Sequence, residues 1–381
     1  MAELGNNLAD ASTAVDQKTL DYDALAEVFS YLSAKNLTRL QLVSKSIMNM
    51  ITSDPFFILM QSYHTSTAAA AIFAYGHSRS RPQIFLLDHD AGLPSGSLDA
   101  LSNYDNRFLY SAGGLVFYRK RDGSSYSICA FNPARRKSSL IPVPPGDGNA
   151  LPASLAVEFT DDGDGVTSDY KLVYLTSDRN WSSLYQCRVY DSAARVWTRD
   201  EMIHHGSRQL KFHNPVVHRG AVFWATDCFR HTTADPYVMS YEIATGAIEF
   251  LAMLDGSAVE SEDRISVAVW EGSWLCLVHH SKSSGAFTLW RWWEESHSWA
   301  KSSNEFVYWE KPEAVVGSML VCNGGREKGM LLVFSVEDEA YVYSFKLRDL
   351  SKLATNMGSY FPKFTAYANT LRPACGGQEA D

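Results

Sequence analysis

Beyond residue 66 no segment of the chain has the three-turn apolar period of an amphipathic helix, and this constrains the fold more than any other feature. The chain runs instead through strand-like segments of roughly five to eight residues, cut by turns rich in Gly, Asp, Asn, Ser and Pro. Examples are 115–118, 126–131, 170–175, 184–190, 221–225, 237–243, 266–270, 274–279, 287–293, 331–336 and 341–347. Parallel strands need long crossover connections, usually helical, so sheets built without them must be antiparallel.

An internal repeat emerges when the strand pairs are aligned. In 185–197 an alternating strand leads through a turn to Trp197; the arrangement returns in 237–250, ending at Phe250, and in 287–299, ending at Trp299. Hairpins at 214–224 and 267–276 stand between these units. The period of about 50 residues suits a β-propeller with about four strands per blade, and ~300 residues divide into about six blades. Closing the ring also removes most exposed sheet edges, which a stacked pair of β-sandwiches, the rival architecture, would not do. Aromatic residues make up 13% of the chain, which suits side chains packed across neighbouring strands.

Ahead of this all-β region the pattern is helical. Leu25, Val28, Phe29 and Leu32 recur at intervals of three and four, on a helix starting near Asp21 or Asp23, whose carboxylates can satisfy free backbone N–H groups. Ser33 is placed to cap a second, shorter helix with Leu37 and Leu40 on its apolar edge. Val43, Ile47, Met50 and Ile51 outline a third helix from about 44 to 53, stopped by Pro55. Three helices in so few residues bury little surface alone, so their apolar residues invite a partner. The expected organisation is a disordered leader 1–18, a helical module 19–54, a structured connector 55–65, a propeller 66–372 and a flexible tail 373–381. The connector is expected to be structured because Phe56, Phe57, Ile58, Leu59, Met60 and Tyr63 need a surface to cover them.

The formal charge is −9, and basic residues occur only in short groups such as 119–121 and 135–137, which argues against a nucleic-acid partner. The N-terminus does not read as a signal peptide, and no apolar run is long enough for an ordinary membrane-spanning helix, so the expected location is the cytoplasm or nucleus. Cys129, Cys187, Cys228, Cys276, Cys322 and Cys375 are scattered and read as reduced, mostly buried thiols.

The order of elements carries a family resemblance. The stretch 20–32, LDYDALAEVFSYL, followed by Lys35-Asn36-Leu37, Val43-Ser44-Lys45-Ser46 and Asp54-Pro55-Phe56, resembles the F-box, the docking module of substrate receptors in cullin-RING ubiquitin ligases. Asp21 stands where that family usually has proline and Ile47 where it usually has tryptophan. The body is similar to the F-box-associated domain of the large plant F-box family, related in form to kelch propellers. The likeness lies in SAGGLV at 111–116, FNP at 131–133, PVPP at 142–145, YKLV at 170–173, RGAVFW at 219–224, Tyr241-Glu242-Ile243 and Ser298-Trp299. The resemblance implies a non-catalytic substrate-recognition subunit of an SCF-type (Skp1-cullin-F-box) E3 ubiquitin ligase. A Skp1-like adaptor would dock on Leu20, Leu25, Val28, Leu32 and Leu37, the propeller would hold a target protein, and no cofactor would be needed.

Other chemistry reads weakly. Cys228/His231 and Cys276/His279 have a two-residue spacing that could offer zinc ligands, but the second pair lies within an apolar strand, where residues three apart point to opposite faces, so buried thiols beside ordinary histidines are the simpler reading. His204-His205 and His279-His280 face apart for the same reason. The acidic run 161–165 resembles the start of a calcium loop, yet Leu172 and Val173 stand where the chelating Glu is required, so it reads as a turn. Gly324-Gly325 reads as a tight turn and not as the opening of a helix. The alternatives are an enzyme with its site in the propeller channel, or a stand-alone binding propeller. Target contacts are expected in the connections 146–154, 161–168 and 226–236, with Phe229, Arg230 and His231 as the leading residues because loop tips vary freely while strands must pack.

Overall fold

The computed structural model describes residues 21–374 except 67, 77–78, 88–100, 102–105, 123–124, 145–151, 162–165, 178–181, 230–231, 254–258, 303–306, 309–315 and 358–361. The chain opens with helices α1 (Tyr22–Ser30), α2 (Ala34–Leu40), α3 (Lys45–Ser53) and α4 (Pro55–Ser66). Asp21 caps α1, and the Ser44 hydroxyl accepts from the Ile47 N–H at the start of α3. Ser33 precedes α2 but makes no capping hydrogen bond through its side chain.

The expected connector is a fourth helix. Asp54 ends α3 and caps α4, its carboxylate accepting from the N–H groups of Phe56 and Phe57 at 3.0 and 3.3 Å. Pro55 occupies the first helical position, where its missing N–H costs nothing and its fixed φ suits the helix. Apolar residues lie on every side of this helix, so it shows no period in sequence; one side covers the other helices and another meets the propeller.

The body is a ring of six antiparallel sheets among the described residues. β1 (Ala71–Gly76) and β2 (Arg79–Leu86) begin it. Blade 1 holds β3 (Asn106–Ala112), β4 (Leu115–Asp122), β5 (Ser125–Asn132) and β6 (Lys137–Ile141). Blade 2 holds β7 (Ser154–Asp161), β8 (Val166–Thr176), β9 (Leu184–Asp191) and β10 (Val196–His204). Blade 3 holds β11 (Val216–His218), β12 (Ala221–Ala225), β13 (Tyr237–Glu242) and β14 (Ile248–Ala252). Blade 4 holds β15 (Arg264–Trp270), β16 (Trp274–His280), β17 (Ala286–Trp293) and β18 (Ser298–Lys301), with the short β19 (Val307–Tyr308) also paired to β17. Blade 5 holds β20 (Val316–Asn323), β21 (Met330–Val336), β22 (Glu339–Ser344) and β23 (Asp349–Ala354). Finally β24 (Lys363–Tyr367) pairs with β1, so the last strand completes the blade that the first two began and closes the ring. The innermost strands of the blades, β3, β7, β11, β15, β20 and β24, touch in turn around the axis.

Six apolar clusters fill the gaps between successive blades. Strand alternation makes this possible: on β17, Phe287 and Leu289 pack toward blade 5 while Trp290 and Trp292 pack toward blade 3. Trp224 is fully buried between blades 2 and 3, its indole N–H donating to the Ser154 hydroxyl at 2.9 Å.

The Gly324-Gly325 pair departs from expectation: Gly325–Lys328 forms a one-turn helix, α5, within the β20–β21 hairpin. Gly325 takes φ +84, a conformation that lets the chain leave β20 and turn at once into the helix.

The head is mounted on the hairpin ends of the propeller. Gln61, fully buried on α4, donates to the Leu32 carbonyl at 3.0 Å and accepts from the Leu371 N–H at 2.8 Å. Leu371 and Ala134 pack into the head's own core beside Phe57 and Ile58. Asn132 holds the same segment from the other side, donating to the Thr370 and Arg372 carbonyls at 3.0 and 2.6 Å while accepting from the N–H groups of Ala134 and Arg135.

Candidate docking head and recognition faces

In the head, Leu37 is fully buried with Met50 and Ile51, whereas Leu25 and Leu32 are half-buried against that core. Leu37 therefore joins the helices and presents no surface outward. Val28 lies on the outer side of α1, 63% exposed. Leu20 lies outside the described residues. Sequence periodicity missed the turn between α2 and α3, where Leu42 is 90% and Val43 67% exposed. Val43 keeps the spacing of the third helix, but the chain is still in a turn there and α3 begins only at Lys45. Phe56, Tyr31 and Tyr63 are also exposed. An apolar core already complete, overlaid by further exposed apolar side chains, is the signature of a binding surface.

The three expected target connections do not share a face. β7 ends beside the head, with Phe159 packed under the Arg372 guanidinium, 4.0 Å away, and against Gly113, so the strand ends on either side of 162–165 lie on the head side. The start of β7, which follows 146–153, and the end of β12, which precedes 226–236, lie at the opposite end. Alternation of strand direction decides this, since successive turns of one blade emerge at opposite ends.

The best-described part of the far face is the turn after β12. Arg208, buried, donates to the carbonyls of Asp227, Phe229 and Ala234 at 3.1, 3.0 and 2.7 Å and lies 3.3 Å from the Asp227 carboxylate. One guanidinium thus knits the whole turn. Phe229 projects from it, 44% exposed, with the Arg264 guanidinium 4.9 Å from its ring centre. Arg230 and His231 lie outside the described residues. Below, burial pushes the Lys211 ammonium down to about 8 and the Cys228 thiol up to about 11. Lys211 donates to the Ile265 carbonyl at 2.8 Å. Burial alone would raise the Asp263 carboxyl, but hydrogen bonds from His279, Lys282 N–H and Glu260 N–H outweigh it and hold the group below its ordinary range. Arg208 carried no motif signal; only the folded turn reveals its role.

The remaining sequence candidates separate. Cys276 packs toward blade 5, while His279 turns the other way and sits 2.8 Å from Asp263. His204 accepts from the Gly206 N–H at the rim, whereas His205 is buried, 2.8 Å from the Ser182 carbonyl. Cys129, Cys187, Cys228, Cys276 and Cys322 are buried free thiols. No group of three or more His, Cys, Asp or Glu side chains able to hold a metal occurs among the described residues. Within the ring, His213 and Asn214 reach across to blade 5: Asn214 donates to the Met319 carbonyl and His213 lies 3.4 Å from the Ser318 hydroxyl. The cavity left beside them is only about 30 Å³, room for a water molecule but not for an ordinary substrate.

A helical head with exposed apolar side chains, fixed to a six-bladed propeller, places the protein in the propeller class. Residues 19–59 match the F-box domain and residues 93–367 match the F-box associated beta propeller domain, and the chain belongs to the F-box associated β-propeller family. No curated protein matches the chain. Among solved structures it is similar to TolB from Acinetobacter baumannii, at 12% identity and TM-score 0.47 over 85% of this chain and 71% of that one. It is also similar to the β-propeller domain of the trilobed protease from Pyrococcus furiosus, at 12% identity and TM-score 0.38 over 66% and 69% of the two chains. A further similarity is to the extracellular domain of a one-component system from B. thetaiotaomicron, at 10% identity and TM-score 0.36; it spans 65% of this chain and 27% of that one.

Proposed function

We propose that this chain is the substrate-recognition subunit of an SCF-type E3 ubiquitin ligase: the head docks a Skp1-like adaptor, through it a cullin-RING ligase, and the propeller holds a target protein. The observation that carries the reading is the exposed apolar set Val28, Leu42 and Val43 on an F-box whose core is already filled. Leu20, Leu25, Leu32 and Leu37 belong to the same proposed docking module, Leu25 and Leu32 half-buried and Leu37 in its core. Kinship with kelch propellers and the plant F-box family belongs to the same reading and rests on the motif order between residues 111 and 299. So do a role in the cytoplasm or nucleus and a subunit that performs no ubiquitin transfer itself. No helix among the described residues is long and apolar enough to cross a membrane.

The target is held, in this reading, on the far face around Phe229, with Arg208 fixing the turn that presents it; Arg230 and His231 are proposed contacts beside it in sequence. An aromatic side chain on a turn already ordered by buried hydrogen bonds loses little entropy on binding. The reading is tested by co-purifying the full chain with a Skp1-like adaptor. Burying each apolar side chain contributes roughly 1.5 to 3 kcal/mol, so Val28→Asp with Leu42→Asp lowers affinity more than ~100-fold while the thermal transition stays in place. Undiminished co-purification of the double variant would falsify the docking surface.

A further inference from the structure

Arg291 differs in its surroundings from the three arginines that brace the propeller's turns. Arg208, Arg264 and Arg372 all donate to backbone carbonyls. Among the described residues no hydrogen bond or ion pair reaches the Arg291 guanidinium, and its Nε is buried without an acceptor. Two indoles hold it: its Cζ lies 5.1 Å from the Trp274 ring centre and 4.3 Å from that of Trp293. Strand geometry builds the clamp. Arg291 on β17 pairs with Cys276 on β16, Trp274 lies two residues along β16 and Trp293 two along β17, so all three project from the same side of blade 4. Trp270 stacks on Trp274 with centroids 5.6 Å apart, and Phe345 of blade 5 meets Trp270 edge-on at 4.8 Å, so the aromatic surface continues across the seam between the two blades.

A guanidinium partly withdrawn from water and left without an acceptor costs stability, and such a group calls for a partner. Glu271 and Glu295 occupy the adjoining turns, yet neither comes within ion-pair distance of it. Trp293 is 42% exposed beside it, so the clamp is open to solvent at the hairpin end of the blade. Planar, oriented by two indoles and free to donate, Arg291 presents parallel N–H groups to paired oxygens.

We propose that the seam between blades 4 and 5 is a peptide-binding surface in which Arg291, clamped by Trp274 and Trp293, receives an anionic side chain of a partner protein while the indoles cover an adjacent apolar residue. Arg and Trp are the residues that most often anchor interfaces. A single clamped cation on a chain of net charge −9 fits one carboxylate or phosphate in a peptide and not a polyanion. The surface lies at the hairpin ends of the propeller, away from Phe229, and does not depend on adaptor docking.

The test uses the full chain and fluorescent dodecapeptides with a central Glu, phosphoserine or Gln flanked by apolar residues, read by anisotropy. Anionic centres bind at least about tenfold tighter than Gln, as one charge-assisted bidentate contact gives, and the Glu and phosphoserine arms tell carboxylate from phosphate. Arg291→Met, which keeps the aliphatic stem between the indoles, abolishes the preference with the melting temperature moved by no more than about 2 °C; Arg291→Lys retains part of it; Trp293→Ala weakens every peptide. The proposal is overturned if no peptide binds, if Gln peptides bind as well as anionic ones, if Arg291→Met keeps the preference, or if heparin displaces the peptides as readily as their own unlabelled copies.

Discussion

His280 is buried on β16 against Phe287, the ring centres 4.5 Å apart, and neither ring nitrogen has a partner among the described residues. Burial pushes its pKa from an ordinary 6.5 down to about 4. Above pH 6.5 the ring is neutral whether the chain is folded or not, and it lends no pH dependence to stability. Between there and pH 4 the unfolded chain takes up a proton that the folded chain refuses, so stability falls with pH by about 3 kcal/mol at most. His280→Phe, which suits the aromatic surroundings, therefore flattens the urea-unfolding profile between pH 6.5 and 4; an unchanged slope in that window would show that the ring is solvated. Asp263 acts lower down. Its depressed carboxyl contributes stability that is present above its unfolded pKa, near 4, and is lost as the pH falls through the folded value. At the same scale, the Asn-Pro pair of the FNP motif takes on a physical meaning: Asn132 is the clamp on residues 370–372.

Among the elements, α4 and β24 do most to make one molecule of two parts. α4 escaped a periodicity search because a helix buried on more than one side shows no stripe. β24 escaped notice for another reason: its partner β1 lies almost 300 residues earlier, and no local pattern announces a pairing across that distance. The pairing matters for more than one strand, since an open ring exposes apolar faces of two blades. A chain ending at residue 362 retains strand-like circular dichroism, loses its single cooperative unfolding transition and binds a hydrophobic dye such as ANS. A truncated chain that still melts in one transition at the original temperature would show that the ring does not need this clasp.

For the whole molecule the consequence is geometry. A head held by Gln61, by Leu371 in its core and by Asn132 behind the same segment keeps a fixed orientation to the propeller, and so fixes where a bound target stands relative to a docked adaptor. Gln61→Leu leaves the Leu32 carbonyl and Leu371 N–H unpaired at about 1–3 kcal/mol each. The expected result is faster elastase cleavage in the alanine run between the head and β1 and a larger radius of gyration in X-ray scattering, with the main unfolding transition of the propeller preserved. Scattering identical to the parent chain would mean that apolar packing alone holds the head. A fixed mount also separates the two proposed recognition surfaces: Phe229 faces away from the head, while the Arg291 clamp lies on the end that carries it.

Local patterns alone determined the helical head, the antiparallel strands, the repeat of about 50 residues and the six-bladed ring, because periods of 3.6 and 2 and the turn residues between them are written in neighbouring positions. Tertiary structure alone decided that Leu37 is core and Leu42 surface, that the connector is a helix, that the glycine pair opens one, and that the loops near 146 and 161 leave opposite ends of the ring. It alone assembled Arg208 with its turn and Arg291 with its indoles. The physical reason is common to all of these: burial, hydrogen bonding and the direction in which a turn emerges depend on residues brought together from distant parts of the chain, whereas periodicity reports only how one segment is arranged along itself.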